Sequence, residues 1–158
     1  TPTGRIWESR SMDDGKTWAD PKPSALVHPY APPMVFHLSD DKTLITFHHN
    51  RHINTQYVGL TGKMDGMRDR AEIWISLSKD GERNWSEPQF LLTNVTRSNP
   101  AKNGWFNHNS SYMDAVIDGG TIHLFLPHLW NRALYMHLEE KDLAKLPTAK
   151  KLARRLAK

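Results

Sequence analysis

Five consecutive polar residues near the middle of the chain have side chains that could bind an anionic or sugar ligand: His48-His49-Asn50-Arg51-His52. They follow an apolar stretch that predicts a strand, in which alternate side chains share a side, so His49 and Arg51 should point the same way. An arginine binds a carboxylate through two parallel hydrogen bonds, which suits an acidic sugar. A solvated loop is the alternative. We expect no metal site, because a strand end spreads the histidines, whereas a metal ion needs converging ligands.

A second group of candidate residues precedes and includes Tyr112. His108 lies between two asparagines, four positions before the tyrosine. A histidine close to a tyrosine hydroxyl could act as a general base if the fold brings the two together. A loop histidine without a chemical role is the alternative. Trp105 and Trp130 could stack on sugar rings or cover the edge of a sheet.

Composition limits the classes of protein to which the chain can belong. Its 158 residues are about one domain's length, and 38% hydrophobic and 24% charged residues are typical of a globular domain. The absence of cysteine excludes disulfides, zinc–thiolate sites and thiol nucleophiles, and no apolar run is long enough for a membrane-spanning helix. Seven of the 21 basic residues lie at 141–158, so the net charge of +4 reflects a basic tail rather than a face that binds nucleic acid.

Most of the chain is predicted to form short antiparallel strands, because apolar or alternating runs are separated by turn residues. Two hairpins, with second strands that begin at Thr43 and Thr121, align without a gap at an offset of 78 residues. Such a repeat suggests a propeller. Only the end of the chain, from residue 139 onward, is predicted to be helical. The predicted strands are 5–9, 34–38, 43–47, 71–77, 112–117, 121–125 and 132–138.

Two segments share one spacing of serine, aspartate and tryptophan. The first, Ser11-Met12-Asp13-Asp14-Gly15-Lys16-Thr17-Trp18, fits the pattern S-x-D-x-G-x-T-W in full. The second, Ser78-Lys79-Asp80-Gly81-Glu82-Arg83-Asn84-Trp85, keeps the register but has glutamate for the glycine and asparagine for the threonine. The pattern resembles the Asp-box, or BNR repeat, of the sialidase-type β-propellers. The resemblance covers roughly residues 5–140.

The resemblance implies an all-β fold: part of a β-propeller that has six blades when intact, made of antiparallel meander blades, with a short C-terminal helix. It implies a propeller fragment at 1–140, with about two blades and a partial one, and a basic helical tail at 141–158. Because such units bury their faces only by stacking, an open edge should remain unless missing N-terminal blades or a partner chain cover it. A secreted or periplasmic location is implied as well, although the start of this chain has no signal-peptide pattern.

The resemblance also sorts the loops onto two faces. Asp-boxes lie away from the active site in this family, so Asp13 and Asp80 should bond backbone amides of their own turns, with Trp18 and Trp85 largely buried. The opposite rim receives the loops that carry the candidate ligands His49, Arg51 and His108. Long loops commonly carry function.

The same resemblance implies a function. A tyrosine nucleophile in sialidases begins the inner strand of a late blade, and Ser111-Tyr112-Met113-Asp114 before the turn at 118–120 is similar. We therefore expect a glycoside hydrolase of the exo-sialidase type that acts on terminal acidic sugars. Tyr112 would be catalytic, and the three candidate ligands would bind the substrate without a cofactor.

The chain differs from the family pattern at one point, and there are two alternative functions. The chain has Leu126-Pro127 where the family often shows Tyr-Glu, so a glutamate that activates the tyrosine is not assigned. A lyase-type or other carbohydrate enzyme that uses histidine and tyrosine is one alternative. A non-catalytic propeller that binds glycans is the other, because a fold does not determine a function.

Overall fold

The computed structural model describes residues 4–28, 31–50, 56–59, 62–65, 70, 72–81, 83–93, 112–128 and 132–156. The strands are β1 (Arg5–Glu8), β2 (Lys22–Val27), β3 (Met34–His37), β4 (Leu44–His48), β5 (Gln56–Gly59), β6 (Gly62–Asp65), β7 (Glu72–Ser78), β8 (Gln89–Thr93), β9 (Asp114–Asp118), β10 (Thr121–His128) and β11 (Arg132–Glu139). A 3-10 helix, Glu140–Lys145, and helix α1, Ala149–Leu156, follow them. The fold of the described residues is therefore mostly β, as the sequence predicts.

We number three of the sheets in chain order: the first is β1-β2, the second β3-β4-β7-β8 and the third β9-β10-β11, and the β5–β6 hairpin is a separate pair. The second sheet is a four-stranded antiparallel meander. Its central strand β4 is rich in β-branched and aromatic residues, which favour strands, and all five of its residues are buried. Alternate side chains of a strand point to opposite faces. Ile45 and Phe47 accordingly join the hydrophobic core, and Thr46 and His48 face the other way. The β5–β6 hairpin lies between β4 and β7 in the chain.

The third sheet has the order β9-β10-β11 and is also antiparallel. Ile122, Leu124 and Leu126 of β10 are buried and form one hydrophobic core with Ile45 and Phe47 of the second sheet. The opposite face of the third sheet keeps large side chains exposed, among them Val116, Phe125 and Tyr135. One face of this sheet is therefore packed, and the other leaves apolar side chains exposed among the described residues.

The first sheet, β1-β2, lies against the other face of the second sheet. A hydrogen bond crosses this contact: the ring N–H at Nδ1 of His48 donates to the backbone oxygen of Val27 at 3.2 Å. His48 also accepts a hydrogen bond from the Ser76 hydroxyl at 3.1 Å through Nε2. These three sheets are thus layered in chain order, with the hydrophobic core on one side of the second sheet and the buried Thr46 and His48 on the side of the first sheet.

Two equivalent hairpin turns meet at one end of the second and third sheets. The backbone N–H of Ser39 donates to Glu140 Oε1 at 2.8 Å, and the Ser39 hydroxyl accepts from the backbone N–H of Gly120 at 2.9 Å. In the first of these turns Asp40 accepts from both the backbone N–H and the hydroxyl of Thr43, at 2.7 and 2.6 Å. The two hairpin turns therefore lie side by side at one end of the fold.

The end of the chain covers the outer edge of the second sheet. Thr148 forms an antiparallel bridge with Gln89 of β8, and the Gln89 side-chain amide donates to the Leu143 oxygen at 2.9 Å. The Leu143 side chain is buried in the hydrophobic core. Edge strands expose unpaired backbone groups that other chains can pair with, and this segment, which we call the C-terminal clasp (residues 140–149), occupies that position on β8.

All seven predicted strands are present, with small shifts of their ends, whereas β2, β5, β6 and β8 were not predicted. The third strands expected at 71–77 and 132–138 are β7 and β11, and the strand expected at the start is β1. The strand predicted to begin at Tyr112 begins at Asp114 instead. No described sheet closes on itself. In the part of the chain that the structure describes, no helix has the length and apolar character needed to cross a membrane.

Candidate functional site

The first Asp-box forms a compact turn between β1 and β2. Asp13 Oδ1 accepts from the backbone N–H of Thr17 at 2.8 Å, and Oδ2 accepts from the Thr17 hydroxyl at 2.7 Å. The Ser11 hydroxyl donates to Asp13 Oδ1 at 2.8 Å and accepts from the backbone N–H of Gly15. Gly15 has a φ of 82°, a conformation that favours glycine. Ser11, Asp13, Gly15 and Thr17 therefore all make contacts within the turn itself.

The second Asp-box reproduces this geometry between β7 and β8 although its sequence departs from the pattern. Asp80 Oδ1 accepts from the backbone N–H of Asn84 at 2.9 Å, and Oδ2 accepts from the Asn84 side-chain amide at 2.6 Å. The Ser78 hydroxyl donates to Asp80 Oδ1 at 2.9 Å. Asparagine thus replaces the threonine hydroxyl with an N–H donor. The two boxes lie near each other, since Arg10 Nη1 donates to the Gly81 oxygen at 2.6 Å.

These contacts stabilise the ionised carboxylates. The pKa of Asp13 is lowered mainly by the hydrogen bond from the Thr17 backbone, and that of Asp80 is lowered to about 2, mainly by the Asn84 side chain. The prediction that both aspartates bond amides of their own turns is confirmed. The prediction that Trp18 is buried is wrong, since it is 64% exposed. It packs over Gly15 and donates to the Gly15 oxygen, and no sheet lies beyond it in the described residues.

The ends of β2 and β4 opposite the Asp-boxes bring three buried histidines together. His28 follows β2, His48 is the last residue of β4, and His49 follows it. The rings of His28 and His49 stack with their centroids 5.4 Å apart. The backbone N–H of His49 donates to His28 Nδ1 at 3.3 Å, and His28 Nε2 donates to the Ala31 oxygen at 2.7 Å. His49 Nδ1 donates to the backbone oxygen of Glu72 at 2.8 Å.

The hydrogen-bond partners require the ring of His28 to be neutral. A carbonyl only accepts, so Nε2 of His28 carries the proton that it donates to the Ala31 oxygen, and Nδ1 accepts from the backbone N–H of His49. Burial is the main cause that lowers the pKa of His28 and of His48 to about 3, and the neighbouring histidine charge lowers each further. We name this group the histidine cluster (His28, His48 and His49). His28 and His48 are therefore buried, hydrogen-bonded and uncharged at neutral pH.

Tyr112 lies at the same end of the molecule, shortly before β9, an edge strand of the third sheet. It is 62% exposed and has a φ of 63°, which is uncommon for a bulky residue and carries a steric cost. Met113, the next residue, is buried in the core, and Asp114 accepts from the backbone N–H of Ala115. The left-handed turn therefore presents the phenol to solvent while the following residue anchors the strand.

The predicted site residues have different positions in the fold. Tyr112 is exposed at the rim, and His49 is fully buried in the histidine cluster. Arg51 and His108 lie outside the described residues. Among the described residues no three histidine, cysteine, aspartate or glutamate side chains form a group that could hold a metal ion.

Sequence reasoning missed His28, which completes the cluster. It lies 21 residues before His49, and a spacing of that length does not reveal a tertiary contact. The available signal was its position directly after the apolar strand β2, at the end that antiparallel order places beside the end of β4.

Antiparallel sheets in which an Asp-box turn joins two neighbouring strands define an all-β protein of the Asp-box class. Residues 1–124 match the family model of the BNR repeat-like domain, and the chain belongs to this family. No curated protein and no solved structure matches the chain significantly.

Proposed function

We propose that the three sheets are blades of a partial β-propeller. The support is the repeat itself: the second sheet is a complete four-stranded meander, and the other two contain parts of the same unit. The first strands of two units, β3 and β9, contact each other, as strands that converge on a common axis would. One Asp-box connects the third strand of the second sheet to its fourth, and the Asp-box between β1 and β2 lies beside it.

We also propose that the protein is a glycoside hydrolase of the exo-sialidase type that acts on terminal acidic sugars. The observation that carries this proposal is Tyr112, an exposed phenol in a strained backbone conformation at the rim opposite the Asp-boxes. Strained residues cluster at functional sites because the surrounding structure must hold them there. Tyr112 would be the nucleophile.

The proposed chemistry uses a phenol because the substrate is an anion. A neutral tyrosine avoids the repulsion that a carboxylate nucleophile would suffer from the carboxylate of the sugar. The Tyr112 oxygen attacks the anomeric carbon as a base takes its proton, and the bond to the leaving oxygen breaks as an acid protonates that oxygen. Water then cleaves the bond between sugar and tyrosine, which restores the phenol and releases the free sugar.

The substrate-binding roles are proposed as follows. Arg51 would pair with the sugar carboxylate, since a guanidinium binds carboxylates bidentately, and His108 would donate a hydrogen bond. His49 is buried and bonded to the Glu72 backbone, so its part would be to fix the start of the segment that carries Arg51. The partner of the protein on this proposal is a glycan with a terminal acidic sugar.

The experiment compares Tyr112→Phe with Tyr135→Phe on a fluorogenic glycoside of a sialic acid. Tyr135 is a similarly exposed tyrosine on the third sheet. Tyr112→Phe should lower kcat by about 100-fold or more, whereas Tyr135→Phe should not change it. A fluorinated substrate analogue should add its sugar mass to the peptide that contains Tyr112. Equal turnover by the two variants would refute the mechanism, and glycan binding without turnover by the unaltered protein would favour the non-catalytic alternative.

A further inference from the structure

The basic charge of the chain is concentrated in one segment. Residues 141–158 contain seven basic residues and one acidic residue, whereas the other 140 residues contain 14 basic and 16 acidic residues. Charges of a single sign that are close together attract polymers of the opposite sign. An anionic partner would therefore be attracted to this segment and not to the rest of the chain.

Helix α1, within this segment, separates its basic and apolar positions. An α-helix has 3.6 residues per turn, so Lys150, Lys151, Arg154 and Arg155 lie within about 140° of one another around its axis. The other four positions of the helix are alanine or leucine, and they lie on the opposite side. The helix therefore has one basic side and one apolar side.

Burial shows which side of α1 faces solvent. Ala149 and Leu152, on the apolar side, are half-buried, whereas Lys151 is exposed. The Lys150 side chain is 80% exposed, and its ammonium group lies 3.9 Å from the Glu87 carboxylate. An ion pair that is exposed to this extent contributes little. Both lysines are therefore accessible to a partner in solution.

The start of α1 is fixed at the Asp-box end of the second sheet. The backbone N–H of Ala149 donates to the Pro88 oxygen at 3.0 Å, and that of Lys150 donates to Glu87 Oε1 at 2.9 Å. Glu87 and Pro88 lie between the second Asp-box and β8. The basic side of α1 is therefore presented by a helix bonded to the fold, at the end opposite the rim that carries Tyr112.

The residues of α1 suit an anionic sugar chain better than a bilayer or a nucleic acid. Binding in a bilayer surface needs an exposed apolar face, but Ala149 and Leu152 are half-buried. Proteins that bind single-stranded nucleic acids use aromatic side chains on which bases stack, and residues 139–158 contain no aromatic residue. Lysine and arginine bind carboxylate groups without such stacking.

We propose that the basic side of α1 binds linear anionic polysaccharides, at a site separate from Tyr112. The choice of a sugar polymer as the partner rests on the proposed function, in which the substrate is a glycan with a terminal acidic sugar. A second contact raises the effective concentration of a ligand at the first. Contact at α1 therefore strengthens the binding of long anionic glycans and leaves the chemistry at a single sugar unchanged.

The probe is a fluorescently labelled heparin decasaccharide, a sugar chain that carries carboxylates and sulfates. Fluorescence anisotropy should detect binding with a dissociation constant of about 1–100 μM, the range of electrostatic binding to a charged polymer. Each neutralised charge releases a counterion, so a rise in salt from about 50 to 200 mM should weaken binding at least about tenfold. A labelled dextran of the same length, which is uncharged, should not bind.

A variant without the four charges of α1 tests the site. Glutamine removes each charge and is a good helix former, so circular dichroism should show the same fold. This variant should bind the decasaccharide at least about tenfold more weakly than the unaltered protein. Its turnover of the fluorogenic sialic acid glycoside should be unchanged. The four substitutions are Lys150→Gln, Lys151→Gln, Arg154→Gln and Arg155→Gln.

The matched control removes the same number of charges elsewhere. It changes four exposed lysines outside residues 141–158 to glutamine, and it should weaken binding by less than about twofold, because salt screens charges that lie more than about 10 Å from the ligand. The four substitutions are Lys16→Gln, Lys22→Gln, Lys42→Gln and Lys79→Gln.

Three results would overturn the proposal. They are no binding of the decasaccharide at about 1 mM, well above the expected dissociation constant, equal binding by the two variants, and tighter binding of another probe by the unaltered protein. The other probes are a single-stranded DNA of about ten nucleotides, which tests a nucleic acid partner, and vesicles of phosphatidylcholine and phosphatidylserine, which test a membrane.

Binding is measured without turnover, so this site and the proposed hydrolase can fail separately. Tyr112→Phe should bind the decasaccharide as the unaltered protein does. A protein without turnover that binds through α1 would refute the hydrolase and keep the polysaccharide site. A protein that cleaves the glycoside but does not bind the decasaccharide would refute the polysaccharide site alone.

Discussion

The side-chain amide of Asn84 donates to Oδ2 of Asp80 at 2.6 Å, in the position that a threonine hydroxyl occupies in the first Asp-box. The donor changes from O–H to N–H, but the carboxylate keeps one backbone and one side-chain partner from the same residue. An Asp-box turn therefore needs a side-chain hydrogen-bond donor four residues after the aspartate, and this donor can be asparagine as well as threonine.

Asn84→Thr should leave the turn intact, whereas Asp80→Ala should remove the acceptor for three hydrogen bonds from Ser78 and Asn84. We expect Asp80→Ala to lower Tm by about 2–6 °C and Asn84→Thr to change it little. Differential scanning calorimetry measures both. Asp20→Ala, at an exposed position, is the control. Equal effects of Asp80→Ala and Asp20→Ala would show that the turn does not depend on the carboxylate.

The histidine cluster predicts a loss of stability on acidification. The pKa of His28 and of His48 is about 3 in the fold, below the ordinary value of 6.5. Below pH 6.5 the unfolded chain therefore binds protons that the fold excludes, so stability falls as the pH is lowered from about 6.5 toward 3. NMR titration should show both rings still neutral at pH 5.

A variant links the cluster to this pH dependence. His48→Gln should give a flatter plot of Tm against pH between 7 and 4 than the unaltered protein, even if its Tm at pH 7 is lower. His37→Gln, at an exposed position on β3, is the matched control and should keep the slope. If the two variants gave the same slope, His48 would not be a source of the acid sensitivity.

The sequence predicted seven of the eleven described strands and both Asp-box turns, because those signals are local, but it did not predict β2, β5, β6 or β8. Alternation in β10 and the Asp13–Thr17 spacing each act within a few residues. Three features depended on contacts that no local pattern contains. His28 joins the cluster through tertiary packing, and the exposure of Trp18 depends on whether a sheet lies beyond it. The start of β9 shifted because Tyr112 adopts a left-handed conformation that its bulky side chain does not favour.

The C-terminal clasp should contribute to the stability of the whole fold. Leu143 is 3% exposed and belongs to the core shared by the second and third sheets. Leu143→Ala should lower the free energy of unfolding by about 2–5 kcal/mol, since it removes buried methyl groups and leaves a cavity. Leu134→Ala removes the same atoms from a side chain that is 42% exposed and should cost much less. Urea denaturation measures both, and similar midpoints would mean that the clasp is dispensable.

One substitution should change stability in opposite directions at two buried threonines. The Thr46 hydroxyl is unpartnered in the described structure, so Thr46→Val should raise the free energy of unfolding by up to about 1 kcal/mol, because valine keeps the shape and removes the polar atom. The Thr43 hydroxyl is bonded to Asp40, so Thr43→Val should lower it by about 1–2 kcal/mol. Urea midpoints with equal m-values decide the comparison. A lower midpoint for Thr46→Val would show that its hydroxyl is bonded in solution.

Tyr112 should be replaceable by glycine without loss of stability. A residue with a side chain pays about 1–2 kcal/mol for a left-handed conformation, and the φ of Tyr112 is 63°. Glycine adopts it freely, but it makes the unfolded chain more flexible at a cost of about 0.5–1 kcal/mol. Because the tyrosine is 62% exposed, little packing is lost. Tyr112→Gly should therefore be neutral or stabilising by up to about 1 kcal/mol in urea denaturation.

The matched change at a tyrosine within a strand makes this prediction specific. Tyr135 lies inside β11, where glycine weakens a strand, so Tyr135→Gly should be destabilising by about 1 kcal/mol. If Tyr112 is the nucleophile, Tyr112→Gly also loses turnover while its fold stays at least as stable, which means that the strained conformation serves the site rather than the fold. A Tyr112→Gly protein that unfolds more readily than Tyr135→Gly would instead assign the tyrosine a structural role, and the proposed nucleophile would lose its main support.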